Sequence, residues 1–111
     1  MATKGPEFFV KARVKQELAS LGDHCWWYMP VAGPFSIAGV PDFIGCYRGM
    51  MFGLEAKAEN GRATKWQKLH LERINLAGGF GIIVRGVEDA GLVAEQLRAA
   101  WLKWETVKET P

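Results

Sequence analysis

The sequence predicts a small α/β domain in the order α-β-β-β-α-β-α, a small mixed sheet flanked by helices. Three observations carry this. Apolar residues recur at helical spacing near both ends of the chain. Four runs of strand length lie between them, rich in aromatic and β-branched residues. A capping signal opens a further helix between the third and fourth of those runs. At 111 residues, the chain is expected to fold as one domain over 1–111. Its 49% hydrophobic and 23% charged residues exclude a disordered tail, a coiled coil and a collagen-like repeat.

The first helix starts near Pro6, whose missing N–H costs nothing in a first turn. Val10, Val14, Leu18 and Leu21 form its apolar stripe, and Gly22 stops it. His24 to Met29 is aromatic and ends before Pro30, as a strand does. Residues 31–40 hold Gly33, Pro34 and Gly39 and read as a loop. Pro41–Tyr47 and Met50–Ala58 are apolar runs separated by Arg48-Gly49, a two-residue hairpin signal. Thr64 and Gln67 form a Thr-x-x-Gln capping box for a second helix running to about Ala77 and ending at Gly78-Gly79. Phe80–Arg85 is the fourth strand. Glu88 and Asp89 open a last helix carrying Val93, Leu97, Ala100 and Trp104 on one face.

No apolar run reaches the roughly 18 residues of a membrane span. Met1 to Pro6 lacks an apolar leader segment, so a cytoplasmic protein is expected. Cys25 and Cys46 match neither a disulfide framework nor a zinc pattern and are expected to be buried thiols. A formal charge of +2 is compatible with a nucleic-acid partner without requiring one.

The chemistry centres on the hairpin. With Arg48 and Gly49 as the loop, Asp42 falls directly across from Glu55, roughly 5 Å away at Cβ and on the same face. Lys57, two residues beyond Glu55, points the same way. Two carboxylates so close on an apolar hairpin repel unless a proton or a cation lies between them. Oxygen ligands without His or Cys favour Mg²⁺ or Mn²⁺ over zinc. A neighbouring lysine can hold an attacking water or neutralise charge developing on a phosphate. The plainer alternative is a cross-strand salt bridge on a solvated face.

Gly39-Val40-Pro41-Asp42-Phe43, then Phe52-Gly53-Leu54-Glu55-Ala56-Lys57-Ala58, then Thr64-Lys65-Trp66-Gln67, then Ala77-Gly78-Gly79 follow one another at family spacing. This set resembles the virus-type replication-repair nuclease (VRR-NUC) domain of the PD-(D/E)XK nuclease superfamily, from Glu7 to about Arg85. The resemblance implies a PD-(D/E)XK restriction-endonuclease-like core. It implies that Asp42, Glu55 and the Ala56 carbonyl hold a divalent metal, Mg²⁺ with Mn²⁺ able to substitute. By the same resemblance Lys57 assists the water nucleophile and Gln67 supports the site. Relatives often carry a basic residue just before the Gly of the Gly-x-Pro-Asp motif, whereas Ser36-Ile37-Ala38 stands here.

The resemblance also implies an acidic residue on the first helix near the metal. Glu7 and Glu17 are the candidates. Glu7 lies within the arc of the apolar stripe and Glu17 at its edge, so Glu7 is expected at the site; its alternative role is to complement the helix dipole. Gln67 shares a helix face with Leu71 and Ile74, so it can face inward or merely close the capping box. His70 lies one turn further on and is read as an ordinary surface or packing residue, with a catalytic role as the alternative. Lys11, Arg62, Lys65 and Lys68 are candidate DNA contacts, with Arg48 a further basic candidate, and Trp27 or Tyr28 could stack on an unpaired base.

The expected function is therefore a Mg²⁺-dependent DNA endonuclease without a small-molecule cofactor, in the cytoplasm, or the host cytoplasm for a viral protein. By resemblance, its substrate is branched DNA such as a four-way junction. The two-fold symmetry of a junction suits a homodimer, with Trp26, Trp27, Trp101 and Trp104 as material for the contact. The alternatives are a flap or nicking nuclease, a nucleic-acid-binding module without catalysis, and an enzyme of another class with an incidental hairpin salt bridge.

Overall fold

Helix α1 spans Pro6–Ser20, with the proline in its first turn as its fixed φ favours. The computed structural model describes residues 4–108; Met1-Ala2-Thr3, part of the leader reading, and the last residues of the expected 1–111 domain lie outside them. Val10, Val14 and Leu18 are buried on one side of α1. Gly22, at φ +66°, turns the chain out of the helix into a short 3-10 turn, Gly22–His24.

Strand β1 (Cys25–Tyr28) pairs antiparallel with β2 (Phe43–Tyr47), which pairs antiparallel with β3 (Met50–Lys57). Arg48 at φ 48° and Gly49 at φ 91° join β2 to β3. Two successive positive φ values give a turn whose twist matches the strands, and they fix the register. Tyr47 faces Met50 and Phe43 faces Leu54, so the predicted hairpin register holds along the whole ladder.

Helix α2 (Lys65–Leu76) follows and returns the chain to β4 (Phe80–Arg85), which lies parallel to β3. The sheet is thus mixed, in the order β1-β2-β3-β4. Gly53 and Gly81 are cross-strand partners under α2. A Cβ on Gly53 would lie 2.6 Å from Ile74 Cδ1, and one on Gly81 would lie 2.8 Å from the Leu71 carbonyl oxygen. The bare glycine pair therefore lets α2 lie close on the sheet, which sets the height of Gln67 above β3. On the opposite face Phe43, Phe52, Leu54 and Ala56 pack with Val10, Val14, Leu18 and Leu97 into the main core.

The expected last helix is two helices, α3 (Gly86–Ala90) and α4 (Val93–Lys108). The Leu92 amide bonds back to Asp89, and the Ala94 amide donates to Glu17 Oε1 at 3.2 Å. In a continuous helix that amide would bond to Ala90. A side chain from α1 thus takes the amide, and the chain bends there.

Three of the four tryptophans assigned to a dimer contact serve this chain instead. Trp27 packs on Phe43 with ring centroids 5.7 Å apart, and Trp101 meets Tyr47 edge-on and donates to the Arg48 carbonyl. Trp104 is half-buried against the core, beside Gly49. Trp26 is the exposed one, at 65%, leaning on Tyr28. Cys25 and Cys46 are free and half-buried rather than fully buried. Burial, with the neighbouring Cys46, pushes the Cys25 thiol up to about 11, which leaves it a poor nucleophile. Among the described residues no helix is long and apolar enough to cross a membrane.

Candidate active site

Strand β2 starts at Phe43, and Asp42 stands one residue before its first paired position, opposite Glu55. Asp42 Oδ2 accepts the Ala56 amide proton at 2.9 Å, in place of a ladder bond from a longer β2. This bond orients the carboxylate. In a strand the N–H and C=O of one residue point to the same side, so the Ala56 carbonyl also faces the Asp42 side.

Glu55 is 1% exposed, the one buried charged residue among those described. Its Oε2 accepts from Gln67 Nε2 at 3.2 Å and lies 3.8 Å from Lys57 Nζ. Its Oε1 is buried with no hydrogen-bond partner. The Glu55 carboxyl is pushed up to about 8. Burial is the main cause; the nearby Asp42 charge adds to it, Glu7 adds less, and Lys57 opposes.

Glu7, in the first turn of α1, completes the group. One carboxylate oxygen from each of Glu7, Asp42 and Glu55 lies within 4.8 Å of the others. Glu17, the other first-helix candidate, is held elsewhere: one oxygen caps α4 through the Ala94 amide and the other pairs with Arg13 at 3.1 Å. An all-oxygen donor set, with one buried oxygen lacking any donor, suits a hard divalent cation.

Gln67 does both things its sequence position allows. Its Oε1 accepts from the Thr64 amide while its amide meets Thr64 Oγ1, closing the capping box. That leaves Nε2 free to reach Glu55. The cap therefore fixes the rotamer that positions Glu55.

The basic residues divide. Arg62, Lys65 and Lys68 are exposed on the turn and first helical turn beside Gln67. Lys11 points into the cluster, 3.7 Å from both Glu7 Oε1 and Asp42 Oδ1. The Glu7/Lys11 spacing of four on one helix is the sequence signal for that placement. Arg48 sits at the far end of the hairpin, over the rings of Tyr47 and Trp101, and is remote from the carboxylates. His70 Nε2 meets the Ala38 carbonyl at 3.0 Å and ties down the loop before Asp42. Sequence reasoning missed Arg85, the neighbour of Lys57 across β3–β4, which donates to the Gly61 carbonyl and orders the turn after β3. Its place at the end of a strand was the only signal.

An apolar groove of about 790 Å³ runs between α4 and β4, lined by Met50, Phe80, Ile82, Ala100 and Trp104 among others. It includes none of the carboxylates, and Lys103 is the one ionisable side chain in its lining. Its size does not make it the reactive site.

Two solved structures share this arrangement of elements. One, described as a VRR_NUC domain, superposes with a TM-score of 0.67 at 22% identity, over 83% of this chain and 97% of that one. The other, a VRR_NUC domain protein, gives a TM-score of 0.67 at 18% identity, over 89% of this chain and 92% of that one. The chain has the VRR-NUC fold. No protein-family model and no curated protein matches the sequence. The VRR-NUC fold accounts for the mixed sheet and for the elements on which Asp42, Glu55, Lys57 and Gln67 stand.

Proposed function

We propose that this chain is a member of the VRR-NUC family and a Mg²⁺-dependent DNA endonuclease. The observation that carries the reading is the buried Glu55 carboxyl, with one oxygen lacking any donor, gathered with Asp42 and Glu7 beside Lys57. Burying such a group costs stability, and groups of this kind concentrate at ligand-binding and reactive sites.

Asp42, Glu55, Glu7 and the Ala56 carbonyl would hold the cation, Mg²⁺ or Mn²⁺. When bound, it supplies Lewis-acid polarisation of the phosphodiester and lowers the pKa of water. The protein's own groups do the rest. Gln67 locks Glu55 in place, and the Ala56 amide locks Asp42. Lys57, largely buried beside Glu55, orients the water or neutralises charge on the phosphoryl oxygens. Arg62, Lys65 and Lys68 contact flanking phosphates. Water adds to phosphorus and one ester P–O bond breaks, leaving a phosphate monoester and a free hydroxyl.

The substrate in this reading is branched DNA, cut by a homodimer. The face of β1 and β2 turned away from the core supports the dimer. Trp26 and Tyr28 are exposed there, as is Met51 on the adjoining β3, and Trp26, Cys46 and Met51 form one cross-strand row. A Mn²⁺ titration followed by calorimetry tests the metal reading. Wild-type protein is expected to bind Mn²⁺, and Asp42→Asn to lose that binding while remaining folded. Equal binding by both proteins would place the metal elsewhere.

A further inference from the structure

The loop at residues 29–42 ends on Asp42, but the residues before it have no role in the chemistry described so far. Its ends are adjacent, since Tyr28 pairs with Ile44, so it is a closed excursion from the sheet edge. Loops of this length without their own secondary structure are uncommon in compact domains and are usually functional. Two contacts fix its root to the first turns of α2. His70 meets the Ala38 carbonyl, and Gly39, at φ +80°, passes so close to Trp66 that a Cβ there would lie 2.5 Å from the Trp66 carbonyl carbon. Gln67, the next residue, is the one that holds Glu55. The loop root and the carboxylate cluster therefore share one support.

Its tip is a tight turn, Gly33-Pro34-Phe35-Ser36. The Ser36 amide and hydroxyl both donate to the Gly33 carbonyl, at 3.0 and 2.7 Å, and the Gly33 amide meets Ser36 Oγ at 2.9 Å. Proline at the second position suits such a turn. This stapled turn carries Phe35 fully exposed, 100%, with Ile37 two residues on at 69%. Trp66, at the loop root, is also exposed, and the Lys65 ammonium lies 5.3 Å from its ring centroid. An aromatic ring held in water by a rigid turn gains nothing for this chain's own fold. The root of its loop lies against Trp66 and Gln67, and Gln67 holds Glu55, so an exposed aromatic carried by this loop has the chemistry of a base-stacking platform for the same site.

We propose that the 29–42 loop is a stacking wedge: Phe35 takes up an unstacked nucleobase of the DNA whose phosphate lies at the Glu7/Asp42/Glu55 cluster. The wedge rests on the nuclease reading and adds to it the reason for substrate choice. A base in intact duplex is already stacked and has no face to offer. A nucleotide at a flap or branch point does, so the loop selects unpaired or branched DNA over plain duplex. Lys65 and Lys68 follow the flanking phosphates.

The test is fluorescence anisotropy on two labelled DNAs, a blunt duplex and the same duplex with an unpaired flap, in Ca²⁺ buffer. Phe35→Ala is expected to weaken flap binding about tenfold and leave duplex binding within about twofold, with Phe35→Tyr close to wild type. Phe35 touches nothing in the fold, so its loss leaves the melting temperature unchanged. Equal affinities of wild type and Phe35→Ala for the flap would overturn the wedge. So would an equal loss on both DNAs, or a change in particle mass with Phe35→Ala, which would assign the loop to contact with a second copy. Cleavage assays separate the two ideas. Cutting without Phe35 dependence overturns the wedge alone, whereas Phe35-dependent flap binding without cutting overturns the nuclease alone.

Discussion

Replacing Glu55 with glutamine should make the metal-free protein more stable at pH 8 and leave it nearly unchanged at pH 4.5. The reason lies in where Glu55 sits. Burial, Asp42 and Glu7 raise its carboxyl from 4.5 to about 8 in the folded protein. Between those values the folded protein keeps a proton that the unfolded chain has released. Wild-type stability therefore falls as pH rises through this window and levels off above it. Its contribution is fully present below 4.5, where both states are protonated. At about 1.4 kcal/mol per pH unit, the loss across the window reaches about 5 kcal/mol as an upper figure, and Glu55 is too buried for solvent to screen much of it. Glutamine keeps an acceptor for Gln67 and has a donor for Asp42, but carries no charge at any pH. Even half the full effect would separate the melting temperatures by about 10 °C at pH 8. The assay is thermal unfolding of both proteins in chelator, from pH 4.5 to 8.5. Comparing the two cancels the titration of groups remote from Glu55, so the difference reports Glu55 together with the neighbours it interacts with, Asp42, Lys57 and Glu7. Parallel curves, with no widening gap as pH rises, would refute the argument that Glu55 is an unrelieved buried acid.

Other perturbations test the neighbouring parts. Gly39→Ala puts a methyl group into the α2 backbone at a positive φ; it should cost roughly 1–3 kcal/mol in urea unfolding, and wild-type stability would mean the loop is not clamped there. Lys11→Met removes the ammonium 3.7 Å from Glu7 and Asp42, and calorimetry should show Mn²⁺ binding about tenfold tighter, whereas weaker binding would make Lys11 part of the ligand scaffold rather than a competitor. Lys57→Ala should lower turnover about a hundredfold with DNA affinity changed less than about threefold, and a loss of affinity alone would make it a phosphate contact. For the wild type, DNA affinity should fall steeply with salt; salt-independent binding would count against phosphate contacts.

Much of the fold was legible because local signals agreed. The Arg48-Gly49 turn fixed a register, and the register alone brought Asp42 opposite Glu55. The Thr64/Gln67 box located the start of α2 to the residue. What escaped depended on contacts between distant segments. The break between α3 and α4 follows from Glu17 taking the Ala94 amide across 77 residues of chain, which no local pattern announces. The nearness of Lys11 to Asp42 is of the same kind: a lysine on a helix face reads as solvated, and only the fold turns it toward that carboxylate. The tryptophan surplus is smaller than composition suggests for the same reason. Composition counts aromatic rings but does not say that Trp27 and Trp101 already have Phe43 and Tyr47 as partners. Gln67 need not choose between cap and site, because an amide has two ends and this one uses both.

The most direct test of the central claim is a cleavage assay. Labelled linear, flapped and four-way DNAs are incubated with wild-type protein and with Asp42→Asn, in Mg²⁺, in Mn²⁺ and in chelator. The account predicts that wild-type protein cuts in either metal, favours the flapped and four-way DNAs, and is silent in chelator, and that Asp42→Asn is silent throughout. Cutting by Asp42→Asn at the wild-type rate, or cutting by wild type that persists in chelator, would contradict it.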